Sequence, residues 1–320
     1  MTYRAIGLMS GSSLDGLDIA FVEFVHNAGV WSFEILAADC YAYDDNWKAR
    51  LQNAVSLNAL DYQLLHADYG HYIGSAVNRF IDEHNLHYKV GLISSHGHTT
   101  FHVPNQKMTA QLGDGAAIAA ETGLPVVSDL RALDVAFGGQ GAPIVPIGEK
   151  YLLKDFDMYL NLGGIANISF NHPDHYIAFY PKSLANNFGT DEVYPLISSV
   201  QLSTADQMRT AVEHIVFQIK AAIEKQKETA NPELQTSNAK LLITGGGAFN
   251  TFLIKRLSDE LQSLNIEVSV PDDNLVQYKE ALIMAFIGVL RWRQEYNVFS
   301  SVTGAQRDSI GGAVWIGQEA

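Results

Sequence analysis

Three times along this chain an apolar, β-type run ends in a cluster of glycine with serine or asparagine. That recurrence constrains the fold more than any other feature of the sequence. The first is Ala5–Phe24, where two strand-like runs flank Gly11-Ser12-Ser13-Leu14-Asp15-Gly16. The second is Met158–Phe170, again strand, Gly163-Gly164 turn, strand. Both patterns predict hairpins. The third, Leu241–Asn250, runs from a strand through Gly245-Gly246-Gly247 into Thr251–Leu264, where Leu253, Ile254, Leu257 and Leu261 share one helical face. The first two turns form a weak internal repeat. Two similar halves facing each other would put both turns at one cleft, whereas two unrelated hairpins in an α/β protein would give the same pattern.

Helical periodicity fills the intervals. Tyr69, Tyr72, Ile73, Ala76, Val77, Phe80 and Ile81 follow a 3.6-residue period. Thr204 with Gln207 reads as a capping box ahead of Met208, Val212, Ile215, Ile219 and Ile223 on one face. Strands alternating with such helices predict α/β architecture. At 320 residues the chain is long enough for two domains, expected here as 1–145 and 146–320. The only linker-like stretch is 226–238, which is polar.

Glycine lets backbone N–H groups approach a phosphate closely, serine adds donors, and a nearby aspartate can hold Mg²⁺ directly or through water. The segment Gly11, Ser12, Ser13, Leu14, Asp15, Gly16, Leu17, Asp18 contains all three parts. It is not a Walker A loop, because no Gly-Lys-Ser/Thr follows. It is not a Rossmann turn, because the chain leaves it as a strand. Two phosphate hairpins, the second at Gly163 and Gly164, plus a third turn at Gly245, Gly246, Gly247 and Asn250 for adenosine, describe a two-lobed actin/Hsp70/sugar-kinase-like ATPase fold. Such a fold has a duplicated core and a central cleft. Asp15 is the candidate Mg²⁺ ligand.

Charge and composition narrow the partners. Lys plus Arg number 21 against 35 Asp plus Glu, a net charge of −14. That excess argues against sequence-independent binding to nucleic acid or anionic lipid. Cys40 is the single cysteine, so no internal disulfide can form. The apolar run Ala5–Met9 is too short for a signal-peptide core, and Ala281–Leu290 is about half of the ~20 residues a membrane helix needs. The latter reads as a buried core helix, and the expected location is the cytoplasm.

The stretch 92–146 carries His96, His98, His102, Gly113-Asp114-Gly115, Arg131 and Asp134. In a strand, His96 and His98 would point to one face and could chelate zinc, but no third ligand follows at a familiar spacing. A polar wall for a substrate is the alternative. Arg131 either meets a substrate anion or pairs with Asp134. Asp114 between two glycines is a turn residue or an accessible base. Glu280 opens an apolar helical run, where an acid favours the N-terminal dipole.

At these motifs the sequence closely resembles the anhydro-N-acetylmuramic acid kinase family. That family's opening GLMSGTSLDG appears as Gly7–Gly16 with Ser12 for Thr. SHGQT appears from Ser95 with His98 for Gln, and IGDPA as Leu112–Ala116 with Gly115 for Pro. GGQGAP, NLGGIANI, GGGA.N and SVTGA recur as Gly138–Pro143, Asn161–Ile168, Gly245–Asn250 and Ser301–Ala305. The resemblance implies an enzyme that uses ATP, Mg²⁺ and water to convert 1,6-anhydro-N-acetylmuramic acid into N-acetylmuramic acid 6-phosphate in cell-wall recycling. It implies Asp114 as the base that activates water, and His96, His98, His102, Arg131 and Glu280 as the sugar side. It also implies a homodimer. Competing classes are an ATP-driven conformational module of the actin or Hsp70 type, and an inactive relative. Where the family carries a strand ending FDTGPGN and several dozen further residues, Phe179 is followed directly by Tyr180-Pro-Lys-Ser. Intact flanks favour an interruption there, which would separate the two Cα atoms by more than the ~3.8 Å of bonded neighbours.

Overall fold

The computed structural model describes residues 1–11, 13–163, 166–171, 176–179, 194–229 and 238–317. The chain divides into two compact units, Met1–Leu152 with Tyr278–Ala320, and Leu153–Gln277. The expected halves, 1–145 and 146–320, differ from this division in two respects, the first being that the boundary falls after Leu152. The second is that the C-terminal stretch returns to the first unit, because its last strand completes that unit's sheet.

In the first unit β1 (Thr2–Ser10), β2 (Gly16–Asn27) and β3 (Val30–Ala42) form an antiparallel meander, followed by α1 (Asp45–Gln52) and α2 (Ala59–Glu83). Next come β4 (Leu92–Ser95), the hairpin β5 (His98–Val103) with β6 (Met108–Leu112), α3 (Gly115–Thr122), β7 (Val126–Ser128), α4 (Ala132–Ala136) and α5 (Pro146–Leu152). Strands β4 and β7 add in parallel beyond β1. Ile6, Leu8, Leu17, Ile19 and Phe21 of the sheet pack with Leu65, Tyr69, Ile73, Val77 and Phe80 of α2. That helix covers the residues whose 3.6-residue period announced it.

The second unit holds β8 (Met158–Leu162), β9 (Ala166–Asn171), β10 (Tyr176–Phe179), α6 (Tyr194–Ser198), α7 (Thr204–Thr229), β11 (Ala239–Thr244), α8 (Thr251–Gln262) and β12 (Ile266–Ser269). Its sheet runs β10-β9-β8-β11-β12, the first three antiparallel and the last three parallel. Helix α9 (Asp273–Trp292) leads back into the first unit, where α10 (Ser300–Thr303) and β13 (Ala313–Trp315) follow. The first unit's sheet is β13-β7-β4-β1-β2-β3. Without β13, each sheet therefore has its meander on one side and two parallel strands on the other. The weak sequence repeat is a real topological duplication, and the α/β class holds.

Local expectations need three adjustments. The cap of α7 is Ser203, whose Oγ accepts the Asp206 N–H at 3.2 Å and donates to Asp206 Oδ2 at 2.6 Å. Gln207 instead donates to the Val200 and Leu202 carbonyls, and Met208 is exposed rather than on the buried face. The polar stretch expected as a linker begins as helix, since α7 runs to Thr229 and Gln226 is buried. Ala281–Leu290 lies in α9 as a buried core helix, as its composition requires. The Phe179–Tyr180 junction, like Ser12 and Gly164, involves positions outside the described residues.

Candidate active site

In the first unit, β1, β4 and β7 are parallel neighbours and end together at Ser10, Ser95 and Ser128. Crevices beyond the carboxyl ends of parallel strands are where open α/β sheets bind ligands. Around that edge lie the Gly11–Gly16 turn, the His96–His102 segment, Asp114 and Arg131.

Asp114 is the N-cap of α3, and its Oδ1 accepts the Ala116 N–H at 2.9 Å. Its own N–H donates to the His66 carbonyl of α2 at 3.1 Å. At Gly70 of α2 a Cβ would stand 2.6 Å from the Asp114 carbonyl oxygen. Only glycine there lets α2 hold this backbone so closely. Asp114 is thus both the turn residue and the accessible group that its glycine neighbours suggested. The carboxyl group is half-buried, and Ala116 is its only hydrogen-bond partner among the described residues.

The histidines do not form the strand pair that a spacing of two suggests. Gly97 takes φ +69 between β4 and β5, so His96 and His98 sit on either side of a turn. His96 Nδ1 lies 2.9 Å from the Gly97 carbonyl, and His98 Nδ1 lies 3.2 Å from Ser10 Oγ. Desolvation pushes both imidazoles down to about 4, with the Arg131 charge adding to the effect at His96. His102, also lowered to about 4 by burial and by Arg131, contacts Thr109 Oγ1 at 3.2 Å.

Arg131 is buried, and it does not pair with Asp134. Its Nε donates to the Gly141 carbonyl at 2.6 Å, its Nη1 to Thr99 Oγ1 at 3.0 Å, and its Nη2 stands 3.3 Å from both nitrogens of His102. Asp134 is occupied elsewhere, accepting from Thr303 Oγ1 and the Gly141 N–H, each at 2.7 Å. Burial lowers the Arg131 guanidinium to about 10, opposed only by the more distant charge of Asp134. A buried cation without a carboxylate in contact is costly, and its geometry suits an incoming anion.

Glu280 is not at a helix start. It lies eighth in α9, half-buried, so the dipole explanation fails. Burial raises its carboxyl group, Lys279 opposes this, and Asp18 and Glu149 add to it. Asp18, on β2, is likewise raised by burial, with a Cys40 hydrogen bond opposing and the charge of Asp15 contributing. Asp15 is exposed in the turn. Sequence reasoning missed Lys279 and Glu149, a buried ion pair at 2.9 Å beside Glu280. Charged residues inside apolar runs were the available signal.

In the second unit, β8 and β11 are parallel and paired Asn161 to Thr244, so Gly163 and Gly245–Gly247 follow adjacent strand ends. Gly245 has φ +83, and a Cβ there would stand 2.6 Å from Asn161 Oδ1. Gly246 faces open space. The Asn250 side chain caps α8, accepting the Leu253 N–H at 3.1 Å.

The sequence profile described as "Anhydro-N-acetylmuramic acid kinase" matches residues 3–188 and 196–317. The chain belongs to the anhydro-N-acetylmuramic acid kinase family. It is 30% identical over 371 residues to the family's kinase from Sulfurimonas denitrificans, covering 97% of this chain and 98% of that one. It is 28% identical to the one from Vibrio parahaemolyticus, covering 94% and 95%. The first alignment is longer than the chain's 320 residues, so that anhydro-N-acetylmuramic acid kinase carries segments this chain lacks. Among solved structures, an activator of the 2-hydroxyisocaproyl-CoA dehydratase from Clostridium difficile with bound ADPNP matches with TM-score 0.42 and 11% identity, covering 91% of this chain and 96% of that one.

Proposed function

We propose that this member of the family phosphorylates 1,6-anhydro-N-acetylmuramic acid with ATP while water opens the anhydro bridge. The observation that carries the reading is Arg131, a buried guanidinium that among the described residues is hydrogen-bonded only to neutral groups, beside the β5–β6 hairpin that leads into Asp114. Its charge suits the lactyl carboxylate of the sugar. His96, His98 and His102 line the same side as polar contacts, and Glu280, whose charged neighbours are Lys279, Asp18 and Glu149, is a further candidate contact to the sugar.

Water is too weak a nucleophile to open a bicyclic acetal unaided, so a general base must accept its proton. Asp114 takes that role. Its backbone is fixed by α2, one carboxylate oxygen is spent on the cap of α3, and the other remains for water. Attack at C1 breaks the bond to O6, and O6 then attacks the γ-phosphate of ATP, releasing ADP. Phosphoryl transfer needs in-line positioning and donors to the phosphates. The backbone of Gly11–Asp18 and of Gly163–Gly164 supplies donors, and Gly245, Gly246, Gly247 and Asn250 form the adenosine side. Asp15, with Asp18 near it, offers oxygen ligands of the kind Mg²⁺ takes. Mg²⁺ held there would neutralise charge on the phosphates. The enzyme works in the cytoplasm as a homodimer, in recycling of cell-wall sugar.

The test is incubation with Mg·ATP and the anhydro sugar in ¹⁸O-water. The expected product is N-acetylmuramic acid 6-phosphate with ¹⁸O at C1, and ADP formation depends on added sugar. Unlabelled product would exclude attack by water, and sugar-independent ATP turnover would exclude the kinase reading.

A further inference from the structure

Two of the motifs, Gly138–Pro143 and Ser301–Ala305, have no part in the reaction described above, yet they meet at one buried carboxylate. Asp134 of α4 is 1% exposed. Its Oδ2 accepts the Gly141 N–H and its Oδ1 accepts the Thr303 hydroxyl, each at 2.7 Å. Thr303 ends α10 and is buried as well. Its carbonyl takes the Gln140 N–H at 2.9 Å, so this one residue holds both the loop and the carboxylate. Glycine makes the tight wrap possible. A Cβ at Gly139 would collide with Asp134 Oδ2, and Gly141 has φ +62.

The consequence falls on Arg131. Gly141 bonds in both directions: its N–H donates to Asp134, and its carbonyl accepts Arg131 Nε at 2.6 Å. Asp134 therefore acts on the guanidinium through Gly141 rather than by direct contact. A direct ion pair would spend the Nη donors and cancel the charge that an anion needs. With the carboxylate occupied by Gly141 and Thr303, the guanidinium is oriented through Nε instead. The N–H groups of a guanidinium outnumber these bonds, even with Nη1 on Thr99 and Nη2 against His102.

We propose that Asp134 and Thr303 are positioning residues for Arg131, holding Gly141 where its carbonyl aims the guanidinium at the carboxylate of the sugar. Without Asp134, Gly141 loses the anchor on its N–H side, and Arg131 Nε loses a fixed acceptor. Asn at position 134 is the discriminating case. Its oxygen can accept the Gly141 N–H, and its amide can donate to Thr303 Oγ1. Thr303 then turns its own proton to the Phe299 carbonyl, 3.3 Å away. The geometry survives while the charge is lost.

This proposal rests on the reading of Arg131 as the carboxylate contact, but its core is tested on the free protein. Arginine side-chain ¹⁵N spectra, with Arg131→Lys used only to assign the signal, should show an Nε–H protected from exchange with water. Protection should fall about tenfold in Asp134→Ala, the weight of one hydrogen bond, and persist in Asp134→Asn. In the enzyme, kcat/KM is compared for the anhydro sugar and the same sugar lacking its lactyl group. Preference for the acidic sugar should shrink about tenfold in Asp134→Ala, through its KM, with KM for ATP unchanged. Asp134→Asn should keep most of that preference. Should Asp134→Ala fail to fold, Thr303→Val should show the same changes in smaller measure, and Thr303→Ser should restore them. An Arg131 Nε–H that exchanges freely in the unaltered protein, or one indifferent to Asp134→Ala and Thr303→Val, overturns the proposal. An Asn variant as impaired as the Ala variant also overturns it. Phosphorylation of neither sugar would refute the kinase reading, and equal use of both would refute the carboxylate contact, while the Nε–H result stands.

Discussion

Asn at position 114 keeps an oxygen to accept the Ala116 N–H, so the cap of α3 survives while the base is lost. Turnover of Asp114→Asn should fall by roughly 10²–10⁴-fold, with ATP affinity and thermal midpoint nearly unchanged. Steady-state kinetics alongside nucleotide titration check this, and near-normal turnover would remove Asp114 from the base role. The three histidines predict a pH effect. Each is neutral when folded and lowered to about 4 by desolvation, while an unfolded histidine titrates near 6.5. Between these values the unfolded chain binds more protons, so stability is complete above about pH 6.5 and lost as pH falls toward 4. Thermal midpoints measured across that window should drop steeply, and His98→Gln should flatten the slope. A midpoint independent of pH from 7 to 4 would mean the imidazoles are solvated.

At the level of elements, the glycine turns separate into those that leave space and those that fill it. A Cβ at Gly11 would meet only Ser13, at 3.3 Å. Gly11→Val should therefore fold with little loss yet weaken ATP binding by filling the approach to the phosphates, as calorimetric titration would show. Unchanged affinity would move the phosphate site elsewhere. A Cβ at Gly70 presses on the Asp114 carbonyl oxygen instead, so Gly70→Ala should lower kcat without touching a ligand. These elements were legible because their signals are local: apolar runs closed by glycine, the period of α2, and the face of α8 through Leu253, Leu257 and Leu261. What was not legible depended on partners distant in sequence. Arg131 reads equally as a substrate contact or as Asp134's partner until Thr303, 169 positions later, is seen to occupy that carboxylate. Glu280 reads as a helix start because Gln277, Lys279 and Glu280 itself interrupt the apolar face that Leu275 and Val276 begin in α9 and Leu282 and Ile283 continue.

For the whole molecule, duplication is the main organising fact, and only its glycine turns reached the sequence as a repeat. The strand orders agree although the two halves share little beyond those turns. Within the first unit the buried Lys279–Glu149 pair joins α9 to α5. Lys279→Met would remove the positive charge beside a buried carboxylate, and should cost about 3–5 kcal/mol, measurable by denaturant unfolding. The double change Lys279→Met with Glu149→Leu should recover most of that loss, and failure to recover would mean the pair serves more than packing.

The return of Tyr278–Ala320 to the first unit also orders events during synthesis. Residues 153–277 form one continuous stretch, able to assemble as soon as they leave the ribosome. The first unit, though its chain emerges earlier, must wait for the last segment, since β7 pairs with β13 only when Ala313 meets Ser128. Pairings this distant are slow to close. The nascent chain therefore holds an unfinished sheet edge at β7 throughout translation of the second unit, and that edge is where misassembly would begin.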